Sequence, residues 1–117
     1  MISAAEFRAL ALSMPEAVEG SHFDTVDFRV RKRIFATLRE ADGRAVLKLT
    51  PGEQRLLMET MPGMLSPVPG GWGQKGWTRL DLGAASAEDA RHALTIAWRN
   101  VAPKRLQETY ARMQNGR

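Results

Sequence analysis

The segment Pro69-Gly70-Gly71-Trp72-Gly73-Gln74-Lys75-Gly76-Trp77-Thr78 constrains the fold more than any other part of this chain. Prolines 67 and 69 lead into it and glycines 70, 71, 73 and 76 punctuate it, so it is predicted to be an irregular connection and not a helix. Gly71 to Gly76 spells G-x-G-x-x-G. A dinucleotide site needs a strand before that spelling and a helix after it, so that the pyrophosphate meets the helix N-terminus. Here prolines lead in, and the alternation from Trp77 to Leu82 predicts a strand leading out. A kinase-type glycine loop would sit between strands, but a chain of 117 residues has no room for a kinase and lacks its other motifs. Two readings stay open. One is a glycine-rich strand connection with tryptophans at the core edge. The other is a backbone anion nest over residues 70–76, assisted by Lys75.

The rest of the chain reads as alternating helix and strand signals. Ser3-Ala4-Ala5-Glu6 spells a capping box, and Phe7, Leu10, Ala11 and Met14 follow on one helical face, which predicts a helix over residues 4–13 ended by Pro15. Residues 16–24 are expected to be a loop. Val26, Phe28 and Val30 alternate with Asp27 and Arg29 as a half-buried strand requires. Arg31-Lys32-Arg33 interrupts, Ile34–Leu38 resumes, Asp42-Gly43 marks a hairpin, and Ala45–Thr50 makes a third strand of an antiparallel meander. Thr50, Pro51 and Glu53 start a second helix with Leu56, Leu57 and Met61 as its apolar side. A short strand is expected within Met64–Val68. Trp77–Leu82 then points Thr78, Leu80 and Leu82 to one face and Trp77, Arg79 and Asp81 to the other. Ser86 opens a helix with Ala90, Leu94, Ala97, Trp98 and Val101 inward. Pro103 starts a terminal helix with Leu106, Tyr110 and Met113. With no internal repeat or linker, residues 1–117 are expected to form one α+β domain, an antiparallel sheet of four to five strands with helices packed on one face.

Charge narrows the partners. The formal net charge is +4. Residues 1–98 carry equal numbers of basic and acidic side chains, so the excess lies in Arg99, Lys104, Arg105, Arg112 and Arg117, opposed by Glu108 alone. Such a tail either meets phosphates or simply complements a helix C-terminus. Cysteine is absent, which excludes disulfides and thiolate metal sites and fits a cytoplasmic location. No apolar run approaches the ~20 residues that span a bilayer, and the N-terminal residues lack the pattern of a signal peptide.

Two groups of residues are candidates for binding. The basic run Arg29, Arg31, Lys32 and Arg33 at a hairpin tip can lie along a phosphate backbone, or it is a solubilising turn. A two-residue turn at Arg31-Lys32 requires positive φ without glycine, so either the loop is wider or a strained turn is tolerated there. Lys48, Lys75 and Arg79 form a second cationic set on the sheet. Trp77 beside such cations can stack on bases if it is exposed. Alternatively, His22, Lys48, Trp72 and Trp77 line a pocket for a small ligand or a protein partner. His22 and His92 lack the partners of a catalytic triad or a metal site, and Glu6, Glu16, Glu19 and Asp24 are too sparse to hold iron. No catalytic residue, metal or cofactor is therefore assigned.

Several of these segments together resemble the MmcQ/YjbR family. They are Phe28-Arg29-Val30, Ile34-Phe35-Ala36-Thr37-Leu38, Val46-Leu47-Lys48-Leu49-Thr50, Pro69-Gly70-Gly71-Trp72-Gly73, Gly76-Trp77-Thr78, Ala97-Trp98-Arg99 and Ala102-Pro103-Lys104-Arg105-Leu106. The resemblance implies a frataxin-like (CyaY-like) α+β fold. It also implies a DNA-binding role, assigned to the family largely by comparison of folds, and brings no catalytic residues with it. The chain departs from the pattern at Arg31-Lys32, where members more often carry glycine. The expectation is a non-catalytic, cytoplasmic DNA-binding protein, favoured as a monomer, that contacts phosphates through Arg29, Arg31, Lys32, Arg33, Lys48, Lys75 and Arg79. The alternative is a small-ligand or protein-interaction domain.

Overall fold

Helix starts fall where the capping residues are. The computed structural model describes residues 1–22 and 24–115. Helix α1 (Ala4–Leu12) opens on a complete Ser3/Glu6 capping box, and α2 (Pro51–Thr60) on a complete Thr50/Glu53 box with proline at its start. The Ser86 hydroxyl accepts from the Asp89 N–H ahead of α4 (Ala87–Arg99), and α5 (Lys104–Asn115) follows Pro103. Each cap satisfies amides that the first turn leaves without partners.

Among the described residues, six antiparallel strands form one sheet: β1 (Val18–His22), β2 (Thr25–Val30), β3 (Arg33–Arg39), β4 (Arg44–Lys48), β5 (Leu65–Pro67) and β6 (Trp77–Asp81), in the order β1-β2-β3-β4-β6-β5. The sixth strand is β1, in the segment expected to be a loop. Its sequence, Val-Glu-Gly-Ser-His, has no apolar alternation because it is an edge strand held by backbone pairing to β2 and almost wholly exposed. A second correction concerns the Pro-Gly-Trp segment, where Gly71–Gln74 winds into a single helical turn, α3. Its neighbours fix that turn, which local propensity alone would not favour.

Side-chain alternation divides the sheet into two faces. Phe28, Val30, Leu38, Ala45, Leu47, Thr78 and Leu80 are buried beneath the helices, with α1 and α4 lying over β3. Trp98 of α4 is fully buried; its indole N–H donates to Pro15 O at 3.0 Å and its ring meets Tyr110 of α5 at 5.3 Å. Two residues expected inside are exposed instead, Leu56 on α2 and Met113 on α5. On α2 the inward stripe runs through Gln54 and Leu57, one turn apart on the face that packs on β5. The opposite face of the sheet carries no long helix, and it holds the candidate site.

Candidate functional site

Cross-strand register brings the open-face residues together. Thr37 of β3 pairs with Val46 of β4, Val46 with Arg79 of β6, and Lys48 with Trp77. Two strand steps separate β3 from β6, about 10 Å. Ile34, Thr37, Val46, Val68, Trp72 and Trp77 enclose a groove of about 300 Å³ whose exposed wall is apolar throughout. The β2–β3 turn lies at the same end of the sheet as Lys48 and Trp77, because Ala36 pairs with Leu47 and the strands run antiparallel.

The tryptophans are placed by the glycines around them. A Cβ on Gly73 would collide with the Val68 carbonyl, its carbon 3.0 Å away, and one on Gly76 would meet the Leu49 carbonyl carbon at 2.8 Å with the oxygen closer still. Gly76 also has φ +110°, outside the range that L side chains tolerate. Backbone therefore lies directly on backbone, and α3 is pressed against the end of the β4–β6 ladder. Gln54 fastens it from beneath. Its buried side-chain amide nitrogen lies 3.2 Å from Gly73 O, 3.3 Å from Trp77 O and 2.9 Å from Thr78 Oγ1, while the Thr78 hydroxyl donates to Gly76 O at 2.8 Å. Neither Gln54 nor Thr78 was singled out from the sequence as a site residue. The available signal was a glutamine in register with Leu57 on an apolar helix stripe.

Trp72 is 63% exposed and meets Trp77 edge-to-face at 6.0 Å. Lys75 Nζ lies 5.8 Å from the Trp72 ring centre and Lys48 Nζ 5.8 Å from that of Trp77. An ammonium over an indole at this distance is attracted by about 0.5–1 kcal/mol when exposed, which orders the lysine without consuming its charge. Arg44 and Arg79 line a neighbouring depression of about 500 Å³ with Asp42 and Asp81. Among the described residues, none of Lys48, Lys75, Arg44 and Arg79 forms an ion pair.

The hairpin cations differ among themselves. Arg29 makes a two-pronged bond to the buried Asp27 (2.7 and 3.1 Å), and Arg31 makes one to Glu16 (3.1 and 3.3 Å). Hydrogen bonding to these carboxylates first, and their charge second, raises both guanidinium groups above their ordinary value. Only Lys32 and Arg33 of this run have no carboxylate partner among the described residues. Of the two possibilities, the structure adopts the tight two-residue turn, with φ of 50° at Arg31 and 72° at Lys32.

Other expected groupings come apart. His22 sits on β1 beside Thr25, Asp27 and Arg29, four strand steps or about 19 Å from Trp77, so one small ligand cannot touch both. Lys48, Trp72 and Trp77 do meet. The Gly70–Gly76 spelling does not make an open cradle, because the Gln74, Lys75 and Gly76 amides bond back to Gly70, Gly71 and Gly73 within the turn. Arg99, Lys104, Arg105 and Arg112 belong to the helix layer, away from the groove, and Arg117 lies outside the described residues. Among the described residues, no group of three or more His, Asp or Glu is placed to hold a metal, and no helix is long and apolar enough to cross a membrane.

Comparison with known proteins gives a family and a fold. Residues 12–100 match the family model described as YjbR. The crystal structure of the Deinococcus radiodurans protein DR2400, a DUF419 domain, is similar with a TM-score of 0.73 at 23% identity, over 89% of this chain and 81% of that one. No curated protein matches.

Proposed function

The chain belongs to the YjbR family, and from its open sheet face we propose that it is a non-catalytic nucleic-acid-binding protein, with DNA as the partner. The observation that carries the reading is the set of open-face cations with no ion pair among the described residues: Lys48 and Lys75 against the Trp77 and Trp72 rings, Arg79 two positions along β6 from Trp77, and Arg44 further along β4 in the depression it shares with Asp42 and Asp81. Cations that lack carboxylate partners are free to replace the counterions of phosphates, and that exchange drives binding. Lys32 and Arg33 extend the same surface, since the β2–β3 turn lies at the tryptophan end of the sheet. Arg29 and Arg31 contribute less, because a phosphate would have to compete with Asp27 and Glu16. In this reading the protein acts in the cytoplasm, which the absence of cysteine fits, and as a monomer.

Titration of labelled DNA at increasing salt tests this. Log affinity should fall linearly with log salt, and the double variant K48A/K75A should lower the slope by about 1.4–1.8, the loss of two phosphate contacts. A flat salt response, or an unchanged slope in the double variant, refutes it.

A further inference from the structure

We propose that the open face selects single-stranded over double-stranded nucleic acid, seating an unpaired base on Trp72. The inference rests on the nucleic-acid reading above and adds the class of strand. The groove enclosed by Ile34, Thr37, Val46, Val68, Trp72 and Trp77 exposes an apolar wall. A duplex has little to put there. Its base faces are stacked inside the helix, and what it presents outward is phosphate, sugar and polar base edges. An unpaired base has a free π-face, and stacking on an aromatic ring tolerates any sequence.

The rings suit that use. Trp72 and Trp77 meet edge-to-face, interplanar angle 76°, so the two rings are not stacked on one another. Trp72 is 63% exposed, a large apolar surface given to water by a residue type usually well covered. The Gln54 and Gly73 contacts hold the turn that carries it, so little ordering remains for binding to impose. Charge complementarity chooses the occupant. Lys75 and Lys48 flank the two rings, and neither is held by a carboxylate among the described residues. That arrangement suits a chain in which flat bases alternate with anionic phosphates.

The test compares one short labelled oligonucleotide in three forms: single-stranded, annealed to its complement, and with its bases removed as an abasic strand. The intact single strand is expected to bind about tenfold more tightly than the abasic strand, the contribution of roughly one stacked base. It should also bind more tightly than the duplex and quench tryptophan fluorescence. W72A should abolish the difference between intact and abasic strands while W72F preserves it, and thermal melts should show both variants folded. Duplex binding equal to or tighter than the single strand, with the abasic strand equivalent, overturns this inference and leaves the nucleic-acid reading standing. Binding to none of the three forms overturns both. Poly-glutamate competing as well as the intact strand also overturns the inference, since charge alone would then account for binding.

Discussion

Substituting Gly76 by alanine should be among the most damaging single-methyl changes available to this chain. The added Cβ would lie 2.8 Å from the Leu49 carbonyl carbon and nearer to its oxygen. Comfortable carbon contacts are about 3.5–4.0 Å, so the β4–β6 ladder must open by about 1 Å. No rotamer change relieves the clash, because the obstacle is backbone. Overpacking of this kind costs about 1–3 kcal/mol, and holding alanine in a forbidden backbone region about 1–3 kcal/mol more. A central value near 4 kcal/mol corresponds to a fall in Tm of about 16 °C for a domain of this size. Gly43 supplies the control. It too has positive φ, +61°, but nothing lies within 4 Å of the added carbon. G43A should therefore cost only the left-handed backbone term, about 1 kcal/mol or roughly 4 °C. Both proteins are compared by thermal melts and urea titration. If G76A melts within about 2 °C of G43A, the close approach of Gly76 to Leu49 is not what holds the tryptophan turn in place.

Gln54→Ala should cost about 2 kcal/mol by leaving the buried Thr78 hydroxyl oxygen without a donor and removing the tie from α2 to Gly73 O and Trp77 O, with urea midpoints as the readout. Lys32→Gly removes a positive-φ side chain, so it should raise stability by about 0.5 kcal/mol once the entropy of glycine is counted. The same change should weaken DNA binding by one phosphate contact, measured as a smaller salt slope. The raised values at Arg29 and Arg31 place the contribution of those pairs to stability below the ordinary arginine range, to be lost only as pH rises beyond it. Melting temperatures should accordingly show no step from arginine titration between about pH 6 and pH 9, and a step assigned to either arginine there would refute the sign.

Helix boundaries, the central strands and the two faces of β6 could be read from the chain, because each follows from local chemistry. A capping hydroxyl serves amides three residues away, and side-chain alternation is set by the pleat. At Arg31-Lys32 the sequence allowed either a wider loop or a two-residue turn with positive φ, and the structure adopts the second. Other features required the tertiary structure. Strand β1 has no pattern to display, as an edge strand draws its stability from the backbone of its neighbour. The helical turn at Gly71–Gln74 contradicts its own composition and is fixed by Gln54 and by the carbonyls of Val68 and Leu49. The candidate face divides along the same line. Sequence alone identified the cations and tryptophans, but charge depends on partners far away in the chain. Glu16 occupies Arg31 across fifteen positions, while among the described residues Lys48 and Lys75 are left without a carboxylate and beside aromatic rings. Composition counts charges; only folding decides which of them are already paired, because an ion pair is a matter of a few ångströms in space.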